Sequence, residues 1–146
     1  TALNLSDMGL RGTISPHIGN LSFLASLDIS HNHFYGHIPS ELTHLRRLKE
    51  INLGFNNFSG EVPSWFGILP KLQHLLLYNN SFTGTIPPSL CNISKLETLN
   101  IRYNFLFGSI PEGIGNLSNL KLLRLSYNQL TGSIPSTIFN MSSLQF

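Results

Sequence analysis

The chain of 146 residues is 41% apolar and 11% charged, with a formal charge of +2. So small a charge argues against a polyanionic partner such as nucleic acid, and apolar runs of a few residues cannot span a bilayer. No charged-then-apolar leader is read in its first residues, and the single Cys91 allows no intrachain disulfide.

From the N-terminus the chain enters inside a strand pattern at Thr1, and Gly12 is the first mark of a period. Glycine returns at Gly36, Gly60, Gly84, Gly108 and Gly132, an interval of 24 residues throughout. A fixed period of this length marks a solenoid, whose units are too small to bury an apolar face alone and stack on one another. The second unit shows the pattern in full. Leu24 leads, Leu27 and Ile29 alternate with Ser26, Asp28 and Ser30, and Asn32 follows. Alternation predicts a strand with Leu27 and Ile29 inward and the three polar residues outward.

Asn32 closes the strand and recurs at Asn56, Asn80, Asn104 and Asn128, where a buried amide would satisfy backbone groups of the turning chain. Gly36 then permits a backbone conformation or close approach that a Cβ would hinder. Ile38-Pro39 keeps the next segment extended, because proline disfavours the helical region for its predecessor. Beyond it Leu42, Leu45 and Leu48 are spaced for a short helix or 3₁₀ turn beneath the sheet. Each later unit repeats these elements, with Val62-Pro63, Ile86-Pro87, Ile110-Pro111 and Ile134-Pro135 in the Ile-Pro place. The expected fold is α/β: a right-handed solenoid of six units of 24 residues, with a parallel sheet on the concave face and 3₁₀ turns on the convex side. Cys91 shares its register with Gly19, Gly67 and Gly115 and reads as a small packed residue on the convex side. Phe146 falls where a seventh strand has just begun, so residues 1–146 read as one array cut mid-repeat at both ends, without caps.

The unit, L-x-x-L-x-L-x-x-N-x-L/F-x-G-x-I-P, is a leucine-rich repeat. Its G-x-I-P extension, as in Gly36-His37-Ile38-Pro39 and Gly132-Ser133-Ile134-Pro135, resembles the plant-specific class of these repeats. The stretch from Leu3 to Leu24, with Gly12-Thr13-Ile14-Ser15-Pro16 and Ile18-Gly19-Asn20-Leu21, resembles the opening repeat of plant receptor kinase ectodomains of the immune-receptor subfamily. Two departures stand in this first unit: Met8 occupies the Asn column, and Ser15 precedes Pro16 where later units have Ile or Val. The resemblance implies a ligand-recognition segment on the extracellular face of the plasma membrane, in defence or development signalling. It also implies a peptide or protein ligand, a co-receptor kinase engaged through repeats outside this chain, and a transmembrane segment and serine/threonine kinase outside it. The same motif occurs in polygalacturonase inhibitors and in receptor-like proteins without a kinase, which stand as the alternative.

Binding would fall to the outward positions, since the consensus positions are used in folding. Mid-strand these are Asn4, Asp28, Asn52, Leu76, Asn100 and Arg124; two residues on come Ser6, Ser30, Gly54, Tyr78, Arg102 and Ser126. The next column holds Asp7, His31, Phe55, Asn79, Tyr103 and Tyr127. Phe55, Leu76, Tyr78, Arg102, Tyr103, Arg124 and Tyr127 form the candidate ligand-binding patch, a mixture of aromatic and Arg residues common at interface hot spots. The Arg-x-Arg pair by which peptide receptors of the resembled family hold a carboxylate is absent, since the matching strand reads Asn100-Ile101-Arg102. Near the N-terminus, His31, His33, His37, Asp7 and Asp28 suggest a metal or a pH switch. His31-Asn32-His33 places its rings around a structural Asn, so no metal ligands are assigned, and a His31 to Asp7 contact is the acid-responsive alternative.

Seven N-x-S sequons begin at Asn4, Asn20, Asn57, Asn79, Asn92, Asn116 and Asn140. Asn20, Asn92, Asn116 and Asn140 share one convex register and are the expected glycosylation sites, whereas a glycan on Asn4 or Asn79 would stand on the binding wall. Enzyme chemistry finds no support: seven acids, no G-x-S-x-G elbow, no phosphate-cradling glycine loop and no Cys/His cluster, hence no cofactor.

Overall fold

The computed structural model describes residues 1–145; the seventh strand expected at Phe146 lies outside them. In chain order the strands are β1 (Ala2–Asn4), β2 (Arg11–Gly12), β3 (Ser26–Asp28), β4 (His33–Gly36), β5 (Glu50–Asn52), β6 (Asn57–Glu61), β7 (His74–Leu76), β8 (Ser81–Thr83), β9 (Thr98–Asn100), β10 (Phe107–Gly108), β11 (Leu122–Arg124) and β12 (Gln129–Leu130). The odd-numbered strands form one parallel sheet of six, in sequence order. Its register is fixed by the period, since Leu27 pairs with both Leu3 and Ile51, and Leu75 with Ile51 and Leu99. Side chains 24 residues apart therefore lie directly beside one another.

Each repeat returns through a 3₁₀ helix, such as Ser40–His44 or Pro88–Asn92. Proline sets its start. Pro39 and Pro87 occupy the cap position with extended backbone, and the helix begins on the next residue. In the first repeat Ser15 takes that position instead, and its hydroxyl accepts a hydrogen bond from the His17 amide at 3.2 Å. The departure seen in the sequence thus exchanges a rigid proline for a side-chain cap.

The even-numbered strands were not anticipated. They pair parallel as β2-β4-β6-β8 and, separately, β10-β12, giving a second sheet along the side of the solenoid. The residue ending this turn is a left-handed glycine, with φ of 81° at Gly36 and 84° at Gly60. Such values suit a residue without Cβ.

The core lies between the main sheet and the 3₁₀ helices. Leu27, Ile51, Leu75 and Leu99 are wholly buried, as are Leu42, Leu45 and Leu72. Phe34, Phe58 and Phe82 stack along the axis with centroids 6.3 and 6.4 Å apart. The asparagine column runs beside this stack. Asn80 Nδ2 donates to the carbonyls of Leu53, Leu77 and Tyr78, and its Oδ1 accepts from the Phe58 amide. One side chain therefore ties its own turn to the repeat before it. Met8, which has no such amide, stays exposed, and its own N–H donates to Asn32.

Candidate functional site

The outward columns divide the concave wall into residues that finish the strands and residues that are displayed. In the mid-strand column, Asp28 Oδ1 accepts from the Ser30 amide and hydroxyl, Asn52 Oδ1 from the Gly54 amide, and Asn100 Oδ1 from the Arg102 amide. These side chains fold onto their own backbone, and Asn52 and Asn100 are buried. Ser30 also departs from expectation: it is 3% exposed, because its hydroxyl turns onto Asp28. Leu76 and Arg124 are the residues of β7 and β11 that leave this pattern, having no side-chain oxygen to offer.

The candidate patch lies where the pattern breaks. Tyr78 lies down across the preceding repeat, over Gly54: a Cβ there would come within 2.4 Å of the Tyr78 ring. Glycine at this position is what lets the ring lie flat. Phe55 meets Tyr78 edge-on, with centroids 5.5 Å apart and planes at 88°. The Arg102 guanidinium sits 5.8 Å from the Tyr78 ring centre and 5.6 Å from that of Tyr103. Tyr103 in turn stacks on Tyr127 at 4.1 Å and 7°. Phe55, Tyr78, Arg102, Tyr103 and Tyr127 are thus joined ring to ring across four repeats. Leu76 is half-buried on β7 in the middle of the sheet, and Arg124 is exposed on β11 at its far side.

Arg102 carries an unmet demand. Its Nε is buried and has no hydrogen-bond partner among the described residues. A buried donor left unpaired costs about 1–3 kcal/mol. Beside it, the hydroxyl of Tyr127 holds the Tyr103 phenol above its ordinary range, with Arg102 opposing the shift.

The column after the strand shows something the sequence pattern conceals. Asp7, His31, Phe55, Asn79, Tyr103 and Tyr127 all have left-handed backbone, with φ between 51° and 57°. Asn tolerates this region; for an aromatic residue it costs about 1–2 kcal/mol. Along this column runs an open groove of about 550 Å³, lined by Asp7, His31, Phe55, Asn79 and Tyr103 with the structural Asn32, Asn56 and Asn80 behind them. His31 joins the aromatic series. Its ring stacks on Phe55 at 4.4 Å, and no ion pair links it to Asp7 among the described residues. His31 thus stacks toward the third repeat, while Asp7 and His31 line the same groove. His37 lies elsewhere, over Gly60 in the second sheet.

On the opposite side, Asn20, Asn92, Asn116 and Asn140 each end a 3₁₀ helix and are exposed. Asn57 is exposed on β6, while Asn4 is tied by its Oδ1 to the amide and hydroxyl of Ser6. Cys91 packs against the core in the same helical layer, and burial pushes its thiol above the usual range.

Comparison with known proteins agrees with this architecture. A family model described as leucine rich repeat matches residues 22–82, 46–106 and 94–146. A receptor-like protein kinase of Arabidopsis thaliana is 50% identical over 40 residues, which are 27% of this chain and 4% of that protein. The solved PEPR1–AtPEP1 complex superposes with a TM-score of 0.94 at 41% identity, over 99% of this chain and 20% of that one. The ectodomain of the Arabidopsis receptor kinase HAESA, solved with an IDA peptide hormone ligand, gives 0.83 at 31% identity, over 99% of this chain and 28% of that one. The chain spans less than a third of the length of these three relatives.

Proposed function

The chain belongs to the leucine-rich-repeat family, and from that premise we propose that it recognises a ligand in the extracellular part of a plant receptor-like serine/threonine kinase. The ligand is a peptide or protein lying across the concave wall, in defence or development signalling. Recognition is the whole of its chemistry. Any phosphoryl transfer belongs to a kinase domain elsewhere in the parent, and a co-receptor kinase engages repeats beyond this chain.

The observation that carries the reading is the joined series of Phe55, Tyr78, Arg102 and Tyr103 on neighbouring repeats. It sits on a wall whose other polar side chains are largely occupied by their own backbone. Rings of low conformational freedom and a guanidinium are the groups that dominate protein interfaces. Solved relatives include a peptide hormone complex. A ligand on this wall fits cell-surface exposure, with glycans on the convex Asn20, Asn92, Asn116 and Asn140 leaving the wall open.

To test this, secreted plant peptides are passed over the immobilised protein and those retained are remeasured on Tyr78→Ala and Arg102→Ala. Each substitution is expected to weaken binding about tenfold or more, as for a hot-spot residue. Retained peptides indifferent to both changes would contradict the assignment. In the parent sequence, about 20 apolar residues followed by a kinase domain supports the receptor, and inhibition of a fungal polygalacturonase supports the inhibitor alternative.

A further inference from the structure

The left-handed column is a ladder of rings with one rung missing. His31 and Phe55 are stacked at 4.4 Å, and Tyr103 and Tyr127 at 4.1 Å. Between the two pairs stands Asn79, the only register position from 31 to 127 without a ring. Neighbouring strands are about 4.8 Å apart, so the register positions of Phe55 and Tyr103 lie about two such steps apart, roughly the room for one ring between them. The groove is open there, since Phe55, Asn79 and Tyr103 all line it. Asn79 is short, half-buried and makes no side-chain hydrogen bond among the described residues, so its amide is free at the floor of the interval. Tyr78, lying over Gly54, meets Phe55 at right angles with ring centres 5.5 Å apart.

We propose that the interval over Asn79 receives one aromatic side chain of an extended peptide, which stacks between Phe55 and Tyr103 and completes a ladder of five rings from His31 to Tyr127. This rests on the wall being the ligand surface and narrows it to a specificity rule: one aromatic residue at a fixed place in the peptide. The chemistry favours a planar ring over an aliphatic chain, because the flanking side chains are rings and the Arg102 guanidinium, 5.6 Å from the Tyr103 ring centre, adds a cation for a ring face. A tyrosine or indole ring can also hydrogen-bond the Asn79 amide. The interval and the Asn79-Asn80-Ser81 sequon exclude each other, as a glycan on Asn79 would fill the same space.

The test is a selection of random nine-residue peptides displayed on phage against the intact protein, with Asn79→Tyr, Phe55→Asn, Tyr78→Ala and Ile68→Ala as variants. Asn79→Tyr supplies the missing ring from the protein itself. It should fold, since Phe55, Tyr103 and Tyr127 already hold the same backbone conformation. Phe55→Asn removes one wall with a residue suited to that conformation. Selected peptides are expected to share one aromatic residue at a fixed position and to lose about tenfold in affinity on either variant, the scale of a lost ring stack with its burial. Ile68→Ala, on the exposed convex side, leaves them unchanged. Peptides that need Tyr78 but share no aromatic residue, or ignore Asn79→Tyr, overturn the slot and leave the wall assignment standing. A selection yielding no peptide sensitive to Tyr78→Ala overturns both. A glycan found on Asn79 in protein secreted by plant cells overturns the slot alone.

Discussion

Asn80 holds four backbone groups at once, in two repeats, from a position 7% exposed. Asn80→Ala orphans the Phe58 amide, while the Leu53, Leu77 and Tyr78 carbonyls each keep a second donor, from Asn56, Asn104 and the Phe55 amide, so the cost is about 1–3 kcal/mol, that of one buried unsatisfied group. A urea unfolding midpoint lowered to match is the expected result; an unchanged midpoint contradicts the role. Tyr103 gives a pH-dependent counterpart. Its phenol is held above the ordinary 10.0 first by the Tyr127 hydroxyl, so the neutral form is favoured in the folded state. The contribution is intact below the ordinary phenol value and is lost as pH rises through the raised one. Tyr127→Phe should bring the Tyr103 titration down, followed by absorbance at 295 nm. At this scale the asparagine ladder was legible, because burying an amide in a turn demands hydrogen bonds. The folding back of Asp28, Asn52 and Asn100 was not. Alternation says which way a side chain leaves the strand, not whether it then turns onto its own backbone.

Single elements here are too short to stand alone, and their stability comes from like elements on either side. Strands of three residues and 3₁₀ helices of five are held by stacking. The Phe34–Phe58–Phe82 column is the clearest case, with Phe58 fully buried between its neighbours. Phe58→Ala is expected to cost about 4 kcal/mol, within the range for a buried phenylalanine emptied in a core. In an array the loss should be felt at both flanking repeats. Hydrogen exchange of the amides in β4 and β8 should accelerate together with β6; acceleration confined to β6 would contradict coupling by the stack. The main sheet and the 3₁₀ turns followed from the leucine and Ile-Pro columns. The second sheet did not, since proline constrains its predecessor to be extended but says nothing of which backbone lies beside it. Pairing of β4 with β6 follows only once the 24-residue register of the main sheet has placed the two segments together.

Across the whole molecule the two faces carry different chemistry. On the convex side four of the six helices end in exposed asparagines, and the concave side gathers rings and a guanidinium from the third repeat onward. Phe55, Tyr78, Arg102, Tyr103 and Tyr127 were visible as a group because a strict period sorts neighbours by subtraction of 24. His31 also belongs to this series, since its neighbour 24 residues on is Phe55. Gly54 carried a signal that could have been used: a glycine in a display column leaves room for the residue one repeat later, here Tyr78. The central claim is that ligand covers this wall. It is tested most directly by hydrogen–deuterium exchange of the protein with and without a retained peptide. The account predicts slowed exchange at residues 54–56, 78–80 and 102–104, with the 3₁₀ helices Ser64–Ile68 and Pro88–Asn92 unchanged. Protection of those convex helices, with the wall exchanging as in the free protein, would contradict it.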